Sequence, residues 1–330
     1  MLNHAREFGK LRPTVLVGFH ERDFDVPEGV RVVALPARAK SGSLGGSALR
    51  LTRTFGNLLR ILLREKPAII FVQNPPAFPT LLCASMAAAR LGARLEIDWH
   101  NYGYSMLALR LGPSHPLVRL AAWYEGVAGR RGHRHFCVSR AMQTDLQSRF
   151  GIHAEVLYDR PVEFLHAPDR PENPRLVAVC PAGWTADEDM QMLLDTIERL
   201  GTGSIEFHLT GDGPARTDIQ TGFLPEADYR NLIARADIGI SMHRSSSGLD
   251  LAMKVSDLFS AGVPVCALDY GGSLPEQIRD GETGFLFRTA EELAGILSRV
   301  DRSVLERMRK EVRKEWNQTW HEEWSRLQLP

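Results

Sequence analysis

The chain has 330 residues, 44% of them apolar and 24% charged, and a formal net charge of zero. At roughly 150 residues per domain this length predicts two domains, and the composition excludes disordered, collagen-like and fibrous classes. No apolar run approaches the roughly 18–20 residues of a membrane span, no signal-peptide pattern opens the chain, and Cys83, Cys137, Cys180 and Cys266 lie too far apart for a disulfide framework or a zinc site, so a soluble cytoplasmic protein, or one peripheral at the inner face of a membrane, is expected.

In chain order, Leu2–Gly9 reads as the end of a helix that runs directly into a strand at Thr14–Phe19. Strands then fit Val30–Leu35, Ala68–Gln73, Arg94–Asp98 and His135–Ser139, with helical patterns at Gly46–Arg64, Thr80–Leu91, Pro116–Gly129 and Ala141–Phe150. The polar, proline-rich segment 166–174 reads as a linker between domains 1–165 and 175–330. Beyond it, strands fit Leu176–Cys180, Ile205–Thr210, Gly222–Leu224, Ile238–Met242, Val263–Ala267 and Thr283–Leu286. Helices fit Asp187–Leu200, Ala227–Arg235, Ser256–Ser260, Leu274–Asp280, Ala290–Val300 and Asp301–Leu327, the last with a face of Trp316, Trp320 and Trp324 that suits core packing better than a ligand stack and a course that could bring it back on the first domain.

This alternation predicts an α/β fold of two Rossmann-like domains with parallel sheets, facing each other across a cleft. One element is missing from the pattern. A doubly wound sheet opens with a central strand and a Gly-rich turn, and neither has a counterpart ahead of Leu2. Either translation starts upstream of Met1 or the N-terminal sheet is built differently.

Three strand ends carry the densest polar chemistry. In Ser245-Ser-Ser-Gly-Leu-Asp250, followed by Lys254 and Asp257, small residues expose backbone N–H groups ahead of a helix N-terminus, which attracts anions. Lys254 could reach a diphosphate and Asp257, on the first helical turn, could accept ribose hydroxyls; a plain strand–turn–helix with Asp257 as cap is the structural alternative. In Leu95–Met106, Asp98 or His100 could take a proton from an acceptor hydroxyl, beside Asn101, Tyr102 and Tyr104. Thr210-Gly-Asp-Gly-Pro214 fits a phosphate loop or an ordinary turn. Gly183–Asp189 reads as a loop into a helix capped by Thr185 with Glu188 completing a capping box, and Gln73–Pro79 as a rigid loop whose Asn74 could contact an acceptor.

The charge is divided unevenly. Residues 1–160 carry 22 Lys and Arg against 12 Asp and Glu, and the remainder has the reverse excess. Arg50, Arg53, Arg60 and Arg64 share one sector of a helix, and Arg110, Arg119, Arg130, Arg131 and Arg134 add to the same half. An anionic membrane surface would suit this charge, as would plain solvation; no nucleic-acid recognition signature accompanies it.

Taken together, Gln73-Asn-Pro-Pro76, Ile97–Ser105, Trp123-Tyr-Glu125, Cys137-Val-Ser139, Tyr158-Asp-Arg-Pro161, Trp184–Asp189, Thr210–Pro214, Glu226–Tyr229 and Ser245–Asp257 resemble the chitobiosyldiphosphodolichol β-mannosyltransferase family of GT-B glycosyltransferases. The resemblance implies GDP-mannose bound mainly by the second domain, a lipid-diphosphate or free glycan acceptor held by the first, inversion at the anomeric carbon and no obligatory metal or cofactor. On that reading the donor site takes in Gly183, Trp184, Gly211, Gly213, Tyr229, Ser246, Ser247, Gly248, Lys254 and Asp257. The acceptor site takes in Asn74, Asn101, Tyr102 and Tyr104, and Asp98 is preferred to His100 as base. The sequence lacks the membrane anchor of eukaryotic members and much of their linker region, so a bacterial-type polyprenyl or other lipid acceptor is expected. A retaining enzyme with another nucleotide-sugar donor and a non-catalytic nucleotide-binding subunit are the alternatives.

Overall fold

The computed structural model describes residues 1–19, 24–36, 44–166, 175–201, 203–214 and 219–328, without the side chains of 44–50, 220 and 221. The described residues form two compact units, Met1–Leu157 with Gln328, and Tyr158–Leu327. This division precedes the expected linker, whose residues 167–174 lie outside those described. Segment 158–161 belongs to the second unit because its polar groups are satisfied there. Trp320 N–H donates to Pro161 O at 2.7 Å, the Tyr158 hydroxyl to Glu276 Oε2 at 3.0 Å and the Ser256 hydroxyl to Asp159 O at 2.7 Å.

The first unit runs α1 (Leu2–Leu11), β1 (Thr14–Phe19), β2 (Val30–Leu35), α2 (Leu44–Glu65), β3 (Ile69–Asn74), α3 (Thr80–Leu91), β4 (Arg94–Trp99), α4 (Gly103–Leu111), α5 (Pro116–Gly129), β5 (Arg134–Cys137), α6 (Arg140–Asp145) and β6 (Glu155–Val156). A wider-wound turn, Leu146–Phe150, extends α6. All strand pairs are parallel, in two separate sheets: β1 with β2, and β3-β4-β5-β6. Leu95–Trp99 of β4 is buried on both faces, as expected of a strand between helical layers. Local signals set the helix ends. Pro116 starts α5 behind His115, whose ring accepts Leu117 N–H, and Ser139 accepts Met142 N–H at 3.0 Å to start α6.

The second unit runs β7 (Leu176–Cys180), α7 (Met190–Leu200), β8 (Ile205–Thr210), β9 (Gln220–Gly222), α8 (Glu226–Arg235), β10 (Ile238–Ser241), α9 (Met253–Ser260), β11 (Val265–Leu268), β12 (Gly284–Phe287), α10 (Ala290–Arg299), α11 (Arg302–Glu315) and α12 (Trp320–Arg326). Its parallel sheet has the order β12-β11-β10-β7-β8-β9. The chain leaves β7 toward β8 and β9, then returns to place β10 on the other side. The crevice at the carboxyl ends of β7 and β10 is therefore the switch point where open α/β sheets bind ligands.

Several expected boundaries move for identifiable reasons. The Thr185–Glu188 capping box does not start the helix: Glu188 Oε2 accepts Thr185 N–H at 3.4 Å, but α7 begins at Met190, capped by Asp189 accepting Met192 N–H at 3.2 Å. Helix α9 begins at Met253 rather than Ser256, which moves Asp257 into its second turn. Leu274–Asp280 shortens to the single tight turn Leu274–Glu276. The expected long final helix breaks into α11 and α12 because Thr319 and Glu322 form a capping box that starts a new helix. Trp316, Trp320 and Trp324 are all buried nonetheless, Trp316 packing edge-on against Phe259 at 5.0 Å. Helix α4 and strand β6 have no counterpart in the sequence reading. All four cysteines are buried thiols, and no helix among the described residues is long and apolar enough to cross a membrane.

Candidate active site

In the first unit the polar cluster gathers at the carboxyl end of β4. Asp98 is 1% exposed and accepts two hydrogen bonds on Oδ2, from His100 Nε2 at 2.6 Å and His4 Nε2 at 3.0 Å. Burial alone would raise the carboxyl pKa, but the two imidazoles override it and hold Asp98 far below the usual carboxylate range. An ionised carboxylate only accepts, so both Nε2 atoms donate. His4, on α1 and 2% exposed, has its pKa lowered by burial and sits as a neutral donor, tilted against Phe71 with ring centroids 4.4 Å apart. The His100 side chain is 15% exposed and is the most accessible of the three. The donor atoms of all three lie within 4.8 Å of one another, a spacing and chemistry that could also hold a transition-metal ion.

The expected acceptor residues divide into two kinds. Asn74 and Tyr102 are fully buried and turned inward. Asn74 Nδ2 donates to Glu125 Oε1 at 2.8 Å and to Asn101 O at 3.1 Å, and the Tyr102 hydroxyl donates to Asp145 at 2.8 Å. These two side chains build the loop instead of presenting themselves to a ligand. Asn101 and Tyr104 are partly exposed: Asn101 Oδ1 accepts Tyr102 N–H at 2.7 Å, and Tyr104 stacks on Tyr102 at 5.1 Å under the Arg149 guanidinium. Buried Glu125 ties the loop to α5 by also accepting Gly103 N–H and Tyr104 N–H, both at 2.8 Å. A carboxylate against two N-terminal amides supplies α4 with the cap its own sequence lacks, which explains why the helix was not legible.

In the second unit the loops after β7 and β10 meet at the switch point. Gly183 N–H donates to Glu188 Oε2 at 2.8 Å, and Glu188 Oε1 pairs with Lys254 on α9. Lys254 is thus near the loop but neutralised by a carboxylate. Trp184 leans over the end of β8, its Nε1 donating to Thr210 O at 3.0 Å. A Cβ on Gly213 would run into the Trp184 ring, so this glycine is required for the wall to close. The Tyr229 hydroxyl donates to Asp257 at 2.8 Å, and the protein around Asp257 pushes its pKa up against the pull of Tyr229.

In the Ser245–Asp250 turn, Gly248 N–H is already bound by the Ser245 hydroxyl at 2.8 Å, and the Ser247 hydroxyl accepts Leu249 N–H at 3.2 Å. Of the amides expected to meet a phosphate, that of Gly248 is therefore committed to the turn itself; Ser246 and Ser247 are partly exposed beside it. The sequence reading missed His243. Its Nε2 lies 2.9 Å from Asp250 Oδ2 and its Nδ1 3.4 Å from Asp187 Oδ2. Burial would lower its pKa, but the two carboxylates outweigh it and hold it up to about 9, so the ring is a cation at neutral pH. A histidine directly after a central strand, at the switch point, was the available signal.

Residues 11–158 match the glycosyl transferase 4-like domain family, and residues 173–301 match glycosyl transferases group 1. Chitobiosyldiphosphodolichol β-mannosyltransferase of Eremothecium gossypii is 30% identical over 88% of this chain and 73% of its own length. The chain belongs to the chitobiosyldiphosphodolichol β-mannosyltransferase family. The human β-mannosyltransferase is 35% identical over 73% of this chain, which spans 66% of that protein's length. The Arabidopsis thaliana UDP-glycosyltransferase TURAN is 31% identical over 73% of the chain and 70% of its own. Among solved structures, sucrose-phosphate synthase of Thermosynechococcus elongatus aligns with a TM-score of 0.74 at 13% identity, covering 99% of this chain and 89% of that one, a likeness of GT-B fold.

Proposed function

We propose that the chain is an inverting glycosyltransferase that moves mannose from GDP-mannose to a glycan carried on a lipid diphosphate, with His100 as general base. The observation that carries this reading is the His4–Asp98–His100 arrangement at the end of β4 in a chain of this family. Asp98, expected to be the base, is too buried to meet a hydroxyl and too stabilised as an anion to take its proton. It serves instead to fix the His100 tautomer, which puts the imidazole lone pair on Nδ1. In the step, Nδ1 takes the acceptor hydroxyl proton while the oxygen bonds to the anomeric carbon. The bond from that carbon to the diphosphate oxygen breaks, and its electron pair leaves with GDP.

The second unit supplies the groups such a donor needs. His243 is a held cation, Lys254 becomes available to a diphosphate if it leaves Glu188, and Asp257 with Tyr229 suits a ribose. A metal-independent departure is part of this proposal and asks Lys254, once released from Glu188, to meet the leaving diphosphate. The name of the Arabidopsis relative favours a second donor, a UDP-sugar.

A membrane surface fits the first unit. On α4 and α5, Met106, Leu109, Leu117, Leu120 and Trp123 are all exposed, Trp123 at 63%, with Arg110 and Arg119 beside them. Exposed apolar side chains among arginines suit an interface with anionic lipid. On α2, Arg53, Arg60 and Arg64 are also exposed, while the Arg50 side chain lies outside those described.

A thermal-shift panel of GDP, GDP-mannose, UDP and UDP-glucose tests the donor. A ligand at a hundredfold excess over its dissociation constant stabilises by about 2.7 kcal/mol. Stabilisation by the GDP compounds in EDTA is expected; stabilisation by the UDP compounds alone would move the assignment to the second donor.

A further inference from the structure

The loop after β7 already holds an anion, and that anion belongs to the chain itself. Glu188 Oε2 accepts Gly183 N–H at 2.8 Å and Thr185 N–H at 3.4 Å, and Oε1 pairs with the Lys254 ammonium. Between the two amides Trp184 has φ 54°, in the left-handed region that a bulky residue adopts only under constraint. Its ring supplies the constraint, tied by Nε1 to Thr210 O at 3.0 Å and seated over Gly213. Amides converging from either side of a left-handed residue form a concavity that binds anions. This one faces outward. Gly183 and Thr185 are exposed, and a Cβ on Gly183 would have as its nearest neighbours Lys254 Nζ at 3.5 Å, Glu188 Oε2 at 3.7 Å and the Thr185 methyl at 3.7 Å.

The two acidic neighbours of Glu188 are needed where they are. Asp187 faces the His243 cation, with Nδ1 3.4 Å away, and Asp189 caps α7. Glu188 differs: its partners are two N–H groups and an ammonium, which any oxyanion satisfies. The main chain beneath it does not have to move for an exchange. Glu188 forms an antiparallel bridge with His243, Asp189 N–H donates to Met242 O at 3.2 Å and Arg244 N–H to Asp187 O at 2.7 Å. The segment is thus stitched to the end of β10, and only the side chain has to turn.

We propose that Glu188 is an internal anion that occupies the diphosphate site of this unit and gives up its place to the diphosphate of a nucleotide. The proposal rests on the donor reading above and adds to it a residue that sets how tightly, and for how long, diphosphate is held. A diphosphate brings two or more negative charges to donors now shared by one carboxylate, so it wins the exchange. Beside it the Glu188 carboxylate is repelled and swings toward solvent. When the nucleotide leaves, the carboxylate returns to Lys254 and the amides and competes against rebinding. Glu188 therefore opposes donor binding and speeds release of the product nucleotide, the reverse of what an ion pair that merely shapes the site would do.

Isothermal titration calorimetry of the full chain with inorganic pyrophosphate, GDP, UDP and guanosine, all in EDTA, tests it. Glu188→Gln is expected to bind pyrophosphate and GDP at least tenfold more tightly than the unmodified chain, with guanosine binding unchanged. Lys254→Gln added to that variant is expected to abolish the gain. Equal or weaker pyrophosphate binding by folded Glu188→Gln, or a gain that survives Lys254→Gln, would overturn the proposal. Gly183→Ala decides the case without removing the ion pair, because its methyl group fits at ordinary contact distance yet stands against both the ammonium and the carboxylate. It is expected to weaken pyrophosphate binding at least tenfold; unchanged affinity would place the diphosphate elsewhere and overturn the proposal as well. The donor reading fails separately. A preference for UDP over GDP with the Glu188→Gln gain intact removes GDP-mannose and keeps the exchange, whereas GDP binding indifferent to Glu188→Gln keeps the donor and removes the exchange.

Discussion

At the scale of single residues, the account turns on how three side chains share one proton acceptor. Asp98 is buried and anionic, His4 is buried and neutral, and His100 alone reaches solvent. His100→Gln is expected to lower turnover about 10²–10⁴-fold with little change in donor affinity, the range for losing a general base. Asp98→Asn should lower turnover and also destabilise the fold, since a neutral amide oxygen holds the two imidazole N–H groups more weakly than the carboxylate does and its NH2 group would take the buried Oδ1 position, which has no hydrogen-bond partner among the described residues. The comparison of kcat with nucleotide Kd checks both variants. His243 gives a separate, pH-dependent prediction. Its folded pKa lies above the ordinary value, so the stabilisation is complete below about pH 6.5 and is lost as pH rises through about 9. His243→Gln is expected to cost on the order of 1–2 kcal/mol at pH 6 and little at pH 10, read from urea unfolding at the two pH values.

At the scale of elements, each proposed site depends on loops fixed by groups outside them. Trp184 can lie over the end of β8 only because Gly213 has no side chain. Gly213→Ala is expected to displace that ring, to cost about 1–3 kcal/mol as an overpacking change and to weaken nucleotide binding. Calorimetric titration with GDP-mannose checks the second effect; unchanged affinity would remove Trp184 from the donor site. The α4–α5 pair makes a prediction of a different kind. Leu120→Ser combined with Trp123→Ser should leave thermal stability nearly unchanged, because both side chains are exposed, yet reduce flotation with phosphatidylglycerol vesicles severalfold.

At the scale of the whole molecule, much of the architecture was readable from the chain, and the failures share a cause. Strands Thr14–Phe19, Val30–Leu35, Leu176–Cys180 and Ile205–Thr210 and helix Pro116–Gly129 form where their apolar periods and local punctuation indicate. Helix α4 escaped because its cap is Glu125, twenty-two residues from Gly103 in sequence. The long C-terminal pattern was misread because a helical period continued across Thr319, where a capping box restarts the helix. At the candidate sites, residue types at strand ends indicated where the chemistry lies but not which side chains face outward. Asn74 and Tyr102 turn inward, and His4 joins Asp98 from ninety-four residues away. What the fold adds in the first unit is that, among the described residues, β1-β2 and β3-β4-β5-β6 are separate sheets.

The most direct test of the central claim is transfer from GDP-mannose to a polyprenyl-diphosphate-linked chitobiose in EDTA, with the product's anomeric configuration read by NMR. The account predicts a β-mannoside from the unmodified chain and none from His100→Gln although that variant still binds GDP-mannose. An α-mannoside, transfer that requires an added metal ion, or full turnover by His100→Gln would contradict it.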